Sequence, residues 1–296
     1  MAEHGRRLMV VHAHPDDEVI TTGGLMAKHA AGTGSVTLVT CTLGEEGEIL
    51  LPGIQHLHAS AEGGLGEHRM SELAASMSAL GVTDFRFLGG AGKYRDSGMM
   101  GEPSNEDPDS FWRADLRDAA TDLVEVIRDA RPHVLVTYDD FGGYGHPDHI
   151  QAHRVTTYAA ALAQVASYRP DIGPVWDVPK IYWTAFPIDM VRAGIEALRA
   201  MGDKSDFASL DADDLPFACP TDWIGASIDV SSVMDRKVAA LRAHASQINM
   251  GSGFFALADN VGTPVFAFEH FRLAKGQRGD GPIGQPEDDL FSGVAL

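Results

Sequence analysis

Short apolar runs alternate along the chain with longer stretches whose apolar positions recur at helical spacing. Residues 8–12 form a run with β-branched members bounded by polar residues, which predicts a buried strand. A helix is expected over 18–31, closed by Gly32 and Gly34. Residues 36–42 form a second strand. Met70, Leu73, Ala74, Met77 and Leu80 share one face of a helix over 67–80 that ends at Gly81. Residues 85–88 give a third strand. Leu116, Leu123, Val124 and Ile127 line one side of a helix over 116–130, which Pro132 stops. Residues 134–138 give a fourth strand, and Pro147 opens a helix over 148–165. Residues 181–185 give a fifth strand. The alternation predicts an α/β fold: a Rossmann-like, mostly parallel sheet with helices on both faces.

After residue 188 the pattern is less regular. Helices are expected over 191–201 and 232–245 and a strand over 223–230. The Asp-rich stretch 202–220 reads as a surface loop, and the Gly- and Pro-rich tail 275–287 as exposed. There is no repeat and no convincing linker. We therefore expect a catalytic core over 1–187, with 188–296 a C-terminal portion of the same unit that walls its site.

Composition narrows the function. The 296 residues carry a formal charge of −19, which repels nucleic acid and anionic membrane surfaces overall. The expected partner is a small molecule. No run approaches ~20 apolar residues, so no membrane span is expected. Two cysteines are too few for a disulfide framework. With no secretion signal at the start, the expected setting is cytoplasmic. Cys41 reads as an inert buried thiol, and His4, His56 and His58 as surface residues.

Ligands of open α/β sheets bind beyond the carboxyl ends of the strands. Four loops there are rich in Gly, His and carboxylates: 12–18, 44–48, 89–98 and 142–149. His14 and Asp17 lie three apart around Pro15, and His146 and His149 three apart around Pro147. In the first loop one carboxylate can ligate a metal while Asp16 stays free for proton transfer. In the other, one imidazole can complete the metal site while its neighbour stands beside it. Two histidines and a carboxylate with an open position suit catalytic zinc. The bland alternatives are a helix-capping aspartate and a pair of capping histidines, and the matched second loop weighs against both. Iron oxygenases use similar ligands but fit this spacing poorly. Lys93 is followed by Tyr94, so no phosphate loop is read at 90–93, and no GxGxxG follows the first strand.

The segment His12-Ala13-His14-Pro15-Asp16-Asp17-Glu18 resembles the signature of the PIG-L/LmbE-like zinc deacetylases. Residues 41–48, 88–99 and 138–149 look like one branch, the deacetylases of mycothiol biosynthesis. The likeness continues at 241–248 and 269–274, nearly the whole chain. It implies a hydrolase that removes the N-acetyl group of 1-D-myo-inosityl 2-acetamido-2-deoxy-α-D-glucopyranoside. It also implies Zn2+, or alternatively Fe2+, held by His14, Asp17 and His149. Asp16 matches the general base, His146 the oxyanion stabiliser, Asp148 its orienting partner, and Tyr144 a mobile residue that polarises the carbonyl. Arg69 and Asp96, and with them Glu48, match sugar- and inositol-binding positions. The nearest alternative is the mycothiol S-conjugate amidase, which tends to carry lysine and proline where Thr21 and Gly145 stand here. A non-catalytic sugar- or metal-binding protein on the same fold is the second.

Overall fold

The computed structural model describes residues 5–259, 264–282 and 284–296. Its strands are β1 (Arg7–His12), β2 (Ser35–Thr40), β3 (Asp84–Phe87), β4 (Val134–Thr137), β5 (Lys180–Pro187), β6 (Ala218–Cys219), β7 (Ala226–Asp229) and β8 (Phe268–Lys275). The helices of the first half are α1 (Asp17–Thr21), α2 (Gly23–Ala30), α3 (Leu65–Leu80), α4 (Leu116–Ala130), α5 (Gly142–Gly145) and α6 (Pro147–Ala163). Beyond β5 come α7 (Ile188–Met201), α8 (Asp206–Ser209), α9 (Met234–Ala243) and α10 (Ala256–Asp259).

The sheet runs β3-β2-β1-β4-β5-β8-β7, with the short β6 beside β5. Its first five strands are parallel, and β8 runs antiparallel to both its neighbours. Side chains of β1 alternate between two cores, as a period of two requires. Leu8 and Val10 pack with α2, α3 and α9, whereas Met9 and Val11 pack with α4 and α6. Helices thus cover both faces, as the alternation predicts.

The expected helix over 18–31 is in fact two, α1 and α2, broken at Thr22. The Thr22 hydroxyl donates to the Glu18 carbonyl at 2.8 Å and meets His12 Nε2 at 2.9 Å, while its φ of −135° leaves the helical range. Gly24 then lies so close to the residue after β7 that a Cβ there would sit 2.5 Å from the Val230 side chain. Stretch 202–220 is not only a surface loop, since it contains α8 and β6 and buries Ala208, Ala212 and Cys219. Cys41 is buried, and burial pushes its thiol far up, as an inert cysteine requires. His56 is exposed and His58 half-buried, while His4 lies outside the described residues.

Two buried carboxylates tie the last third to the core. Glu269, on β8, accepts the Gly24 and Leu25 N–H groups at 2.7 Å each and pairs with Lys237 at 2.6 Å. It therefore caps α2 with a full negative charge. Glu287 pairs with Lys180 at 2.9 Å and accepts the Tyr182 hydroxyl and the Gly279 N–H at 2.7 Å each. The tail is therefore exposed over much of 276–286 but not at Glu287, which is buried.

Burial alone would raise the Glu287 pKa, yet the Gly279, Lys180 and Tyr182 contacts outweigh it and hold it below 4.5. A depressed carboxylate contributes stability above its unfolded-state pKa and loses it as pH falls through the folded-state value. Near pH 7, Glu287→Gln leaves the Lys180 ammonium without a counter-charge and should destabilise the fold by about 3 kcal/mol. Near pH 3 the deficit should shrink, because the wild-type carboxylate is then losing its charge too; urea unfolding across that range measures both.

Candidate active site

The strand order reverses between β1 and β4, the position where open α/β sheets form a ligand crevice. Both strands point the same way and pair Leu8 with Val134 through Val10 with Val136. Their carboxyl ends therefore deliver 13–17 and 142–149 side by side. The Asp16 backbone has φ 133°, a region that costs a non-glycine residue about 1–3 kcal/mol. Across this corner the Asp17 carboxylate turns back to accept the His14 N–H at 2.9 Å.

Asp17 Oδ2 lies 3.2 Å from His14 Nδ1 and 3.3 Å from His149 Nε2. The other nitrogen of each ring has its own acceptor. His14 Nε2 faces Asp148 Oδ2 at 3.1 Å, and His149 Nδ1 faces the Gly142 carbonyl at 3.2 Å. Protons placed on those outer nitrogens leave two lone pairs aimed at one carboxylate oxygen. His149 Nε2 is buried and makes no hydrogen bond. An orphaned nitrogen beside a carboxylate and a second lone pair is what a cation repairs. Outer acceptors on ligating imidazoles are the usual support for such a site. The His146 ring also stands within this group, its ligand atom within 4.8 Å of those of His14 and His149. Asp96 and Asp148 add further negative charge beside His14.

His146 Nδ1 accepts the backbone N–H of Asp148 at 3.1 Å, so Nε2 carries the proton of the neutral ring. Burial and the two neighbouring imidazoles push the His146 pKa down to about 3. Asp148, expected as the orienting partner of His146, reaches it through its backbone N–H and not through its carboxylate. That carboxylate takes Ser97 N–H at 2.9 Å, the Ser97 hydroxyl and His14, and only the backbone of Asp148 reaches His146. Tyr144 stands edge-on to His149 with ring centroids 5.0 Å apart, 41% exposed between Gly143 and Gly145, both at positive φ. Burial pushes the Asp16 carboxyl up to about 6, against the pull of Arg69 and with the help of Asp17.

Arg69 and Asp96 are each 3% exposed and face protein. Arg69 donates to the Gly44 and Pro15 carbonyls at 2.7 and 2.6 Å and pairs with Asp16 at 3.1 Å. Asp96 accepts the Gly98 and Glu46 N–H groups at 2.9 and 3.1 Å. Glu48 is exposed. Sequence reasoning missed Tyr138, which stacks on His149 at 4.2 Å and whose hydroxyl accepts the Ala13 N–H. Its position at the end of the fourth strand was the available signal. Ser97, Glu18 and His244 were missed too, because they touch the site only through other residues. A cavity of about 420 Å3 opens from Asp17, Tyr144 and His149. Phe186, at the end of the core, and Phe207, Phe217 and Phe254, from beyond residue 188, also line it.

Residues 9–160 match the PIG-L family, GlcNAc-PI de-N-acetylase. The 1D-myo-inositol 2-acetamido-2-deoxy-alpha-D-glucopyranoside deacetylase of Geodermatophilus obscurus is 54% identical over 290 residues, which cover 98% of each chain. The solved N,N'-diacetylchitobiose deacetylase from Pyrococcus horikoshii is similar in fold, with TM-score 0.59 and 19% identity over 92% of this chain and 84% of its own. GalB, the 4-carboxy-2-hydroxymuconate hydratase of Pseudomonas putida, is similar too, with TM-score 0.61 and 18% identity over 94% of this chain and 99% of its own. One architecture thus carries a deacetylase and a hydratase, and the reaction is a matter of the site. By its match over 9–160 and its full-length relatives, the chain belongs to the PIG-L family, the GlcNAc-PI de-N-acetylases.

Proposed function

We propose that the protein hydrolyses the N-acetyl group of 1D-myo-inositol 2-acetamido-2-deoxy-alpha-D-glucopyranoside to acetate and the free amine, a step of mycothiol biosynthesis. The reading rests on the full-length relative at 54% identity that bears this activity in its name. One observation carries the chemistry: a ring nitrogen of His14 and one of His149 lie 3.2 and 3.3 Å from Asp17 Oδ2, with Asp16 next to it. The amidase and the non-catalytic alternatives have no comparable support.

His14, Asp17 and His149 would hold zinc. His146 is set apart from them because its Nδ1 accepts a backbone N–H, so its other nitrogen donates a proton instead of a lone pair. Zinc, when bound, supplies a Lewis acid for the acetamide carbonyl and lowers the pKa of water. The chain supplies the rest. Asp16 accepts a proton from the attacking water and returns it to the departing amine nitrogen as the C–N bond breaks. His146, as a neutral Nε2–H donor, and Tyr144, through its hydroxyl, stabilise the negative charge developing on the acetamide oxygen. Asp148 keeps His14 in the tautomer that ligates. Arg69 positions Asp16, and Asp96 braces the loop beside it. Glu48, which is exposed, would meet a sugar hydroxyl.

Acetate release from the acetylated glycoside, compared with turnover of a bulky S-conjugate amide, tests the substrate assignment. The glycoside should win; preference for the conjugate would favour the amidase. Asp16→Ala should keep its zinc and lose about 10²–10⁴ in kcat. By metal analysis after dialysis, His149→Ala should lose zinc while His146→Ala retains it. A Cβ at Gly142 would sit 2.6 Å from His149 Cβ at a φ of 66°. Gly142→Ala should therefore displace His149 and its outer acceptor and weaken zinc binding about 10–100-fold, read by chelator competition.

A further inference from the structure

Asp16 occupies a backbone conformation that an L residue rarely adopts, and something must hold it there. Its N–H donates to Glu18 Oε2 at 2.8 Å. The Glu18 carboxylate is wholly buried, and its other oxygen is gripped from two directions. Ser76, on α3, reaches Oε1 at 3.1 Å. His244, just past the end of α9, reaches the same oxygen through Nε2 at 2.8 Å. His244 is itself fully buried. Neither Glu18 nor His244 lines the cavity. Arg69 holds the Asp16 carboxylate while this chain of contacts holds its backbone.

We propose that Glu18 and His244 are positioning residues for Asp16, clamping its N–H so that the successive carboxylates of Asp16 and Asp17 diverge toward different tasks. The inference rests on the reading of Asp16 as the general base. It gives the C-terminal portion a part in catalysis beyond walling the cavity. A buried carboxylate placed only to neutralise a histidine has no need of the Asp16 N–H. Held at both ends, Asp16 stays near its reacting geometry instead of relaxing to an ordinary φ.

The test uses the zinc-loaded full-length enzyme with the acetylated glycoside, and chelator competition for zinc affinity. Glu18→Ala should lower kcat about 100-fold, with KM and zinc affinity each within about threefold. Glu18→Gln keeps an oxygen for the Asp16 N–H, and His244 Nδ1, which has no hydrogen-bond partner, can take up the displaced proton. It should therefore restore kcat to within about threefold of wild type. If Glu18→Ala does not fold, His244→Ala, which loosens the clamp from its far end, should still cost about tenfold in kcat. In an Asp16→Asn background Glu18→Ala should cost nothing further. Additive losses in that cycle, equal damage from Ala and Gln, or a parallel fall in zinc affinity would each overturn the clamp. Asp16→Asn alone at full kcat would instead overturn the base assignment, and the clamp with it.

Discussion

Parallel pairing of β1 with β4 is the constraint on which the site depends. Two strands that run the same way end at the same edge, so each must turn away there. The sheet order reverses between them, which leaves a crevice that no crossover helix fills. Pro15 and Pro147 mark the two corners, and the four side chains that matter most for charge stand three apart around them. Two segments more than a hundred residues apart thereby bring two imidazole nitrogens to one carboxylate oxygen.

Such a cluster is costly to bury. Three imidazoles and four carboxylates stand close together, and each must find a partner or change its charge. The structure answers with outer contacts: Asp148 for His14, the Gly142 carbonyl for His149, Arg69 for Asp16, and backbone N–H groups for Asp96. The same economy recurs away from the site, where Glu269 and Glu287 bind the last third to the sheet. Ion pairs so deeply buried contribute little net stability against an apolar isostere, but they penalise any arrangement in which one partner is missing. They fix where the C-terminal portion sits, and with it the phenylalanines that line the cavity and His244 beneath the Asp16 corner.

Much of this was legible in the chain. The five parallel strands, the helices on both faces and the two matched loops follow from periodicity and punctuation alone. Where the reading failed, a polar residue occupied an interior position. β8 went unread because Glu269 faces the core next to Phe271, so its inward side does not look apolar. The break at Thr22 was hidden because a hydroxyl that bonds its own backbone looks like any other helical residue. Which atoms of Asp148 meet His146 is not written in the sequence: at a helix entry the backbone N–H turns toward the preceding ring while the side chain turns to Ser97 and His14. For Arg69, matched to a sugar-binding position, spacing cannot reveal that two carbonyls and Asp16 already engage it.

On the proposed reading, His14, Asp17 and His149 share one cation and His146 lies outside its coordination. X-ray absorption at the zinc edge of the loaded protein tests it most directly. The expected spectrum is that of a nitrogen- and oxygen-ligated ion at about 2.0–2.2 Å, with outer-shell scattering from two imidazoles that His146→Ala leaves unchanged. Scattering from three imidazoles, or a spectrum that changes when His146 is removed, would contradict it.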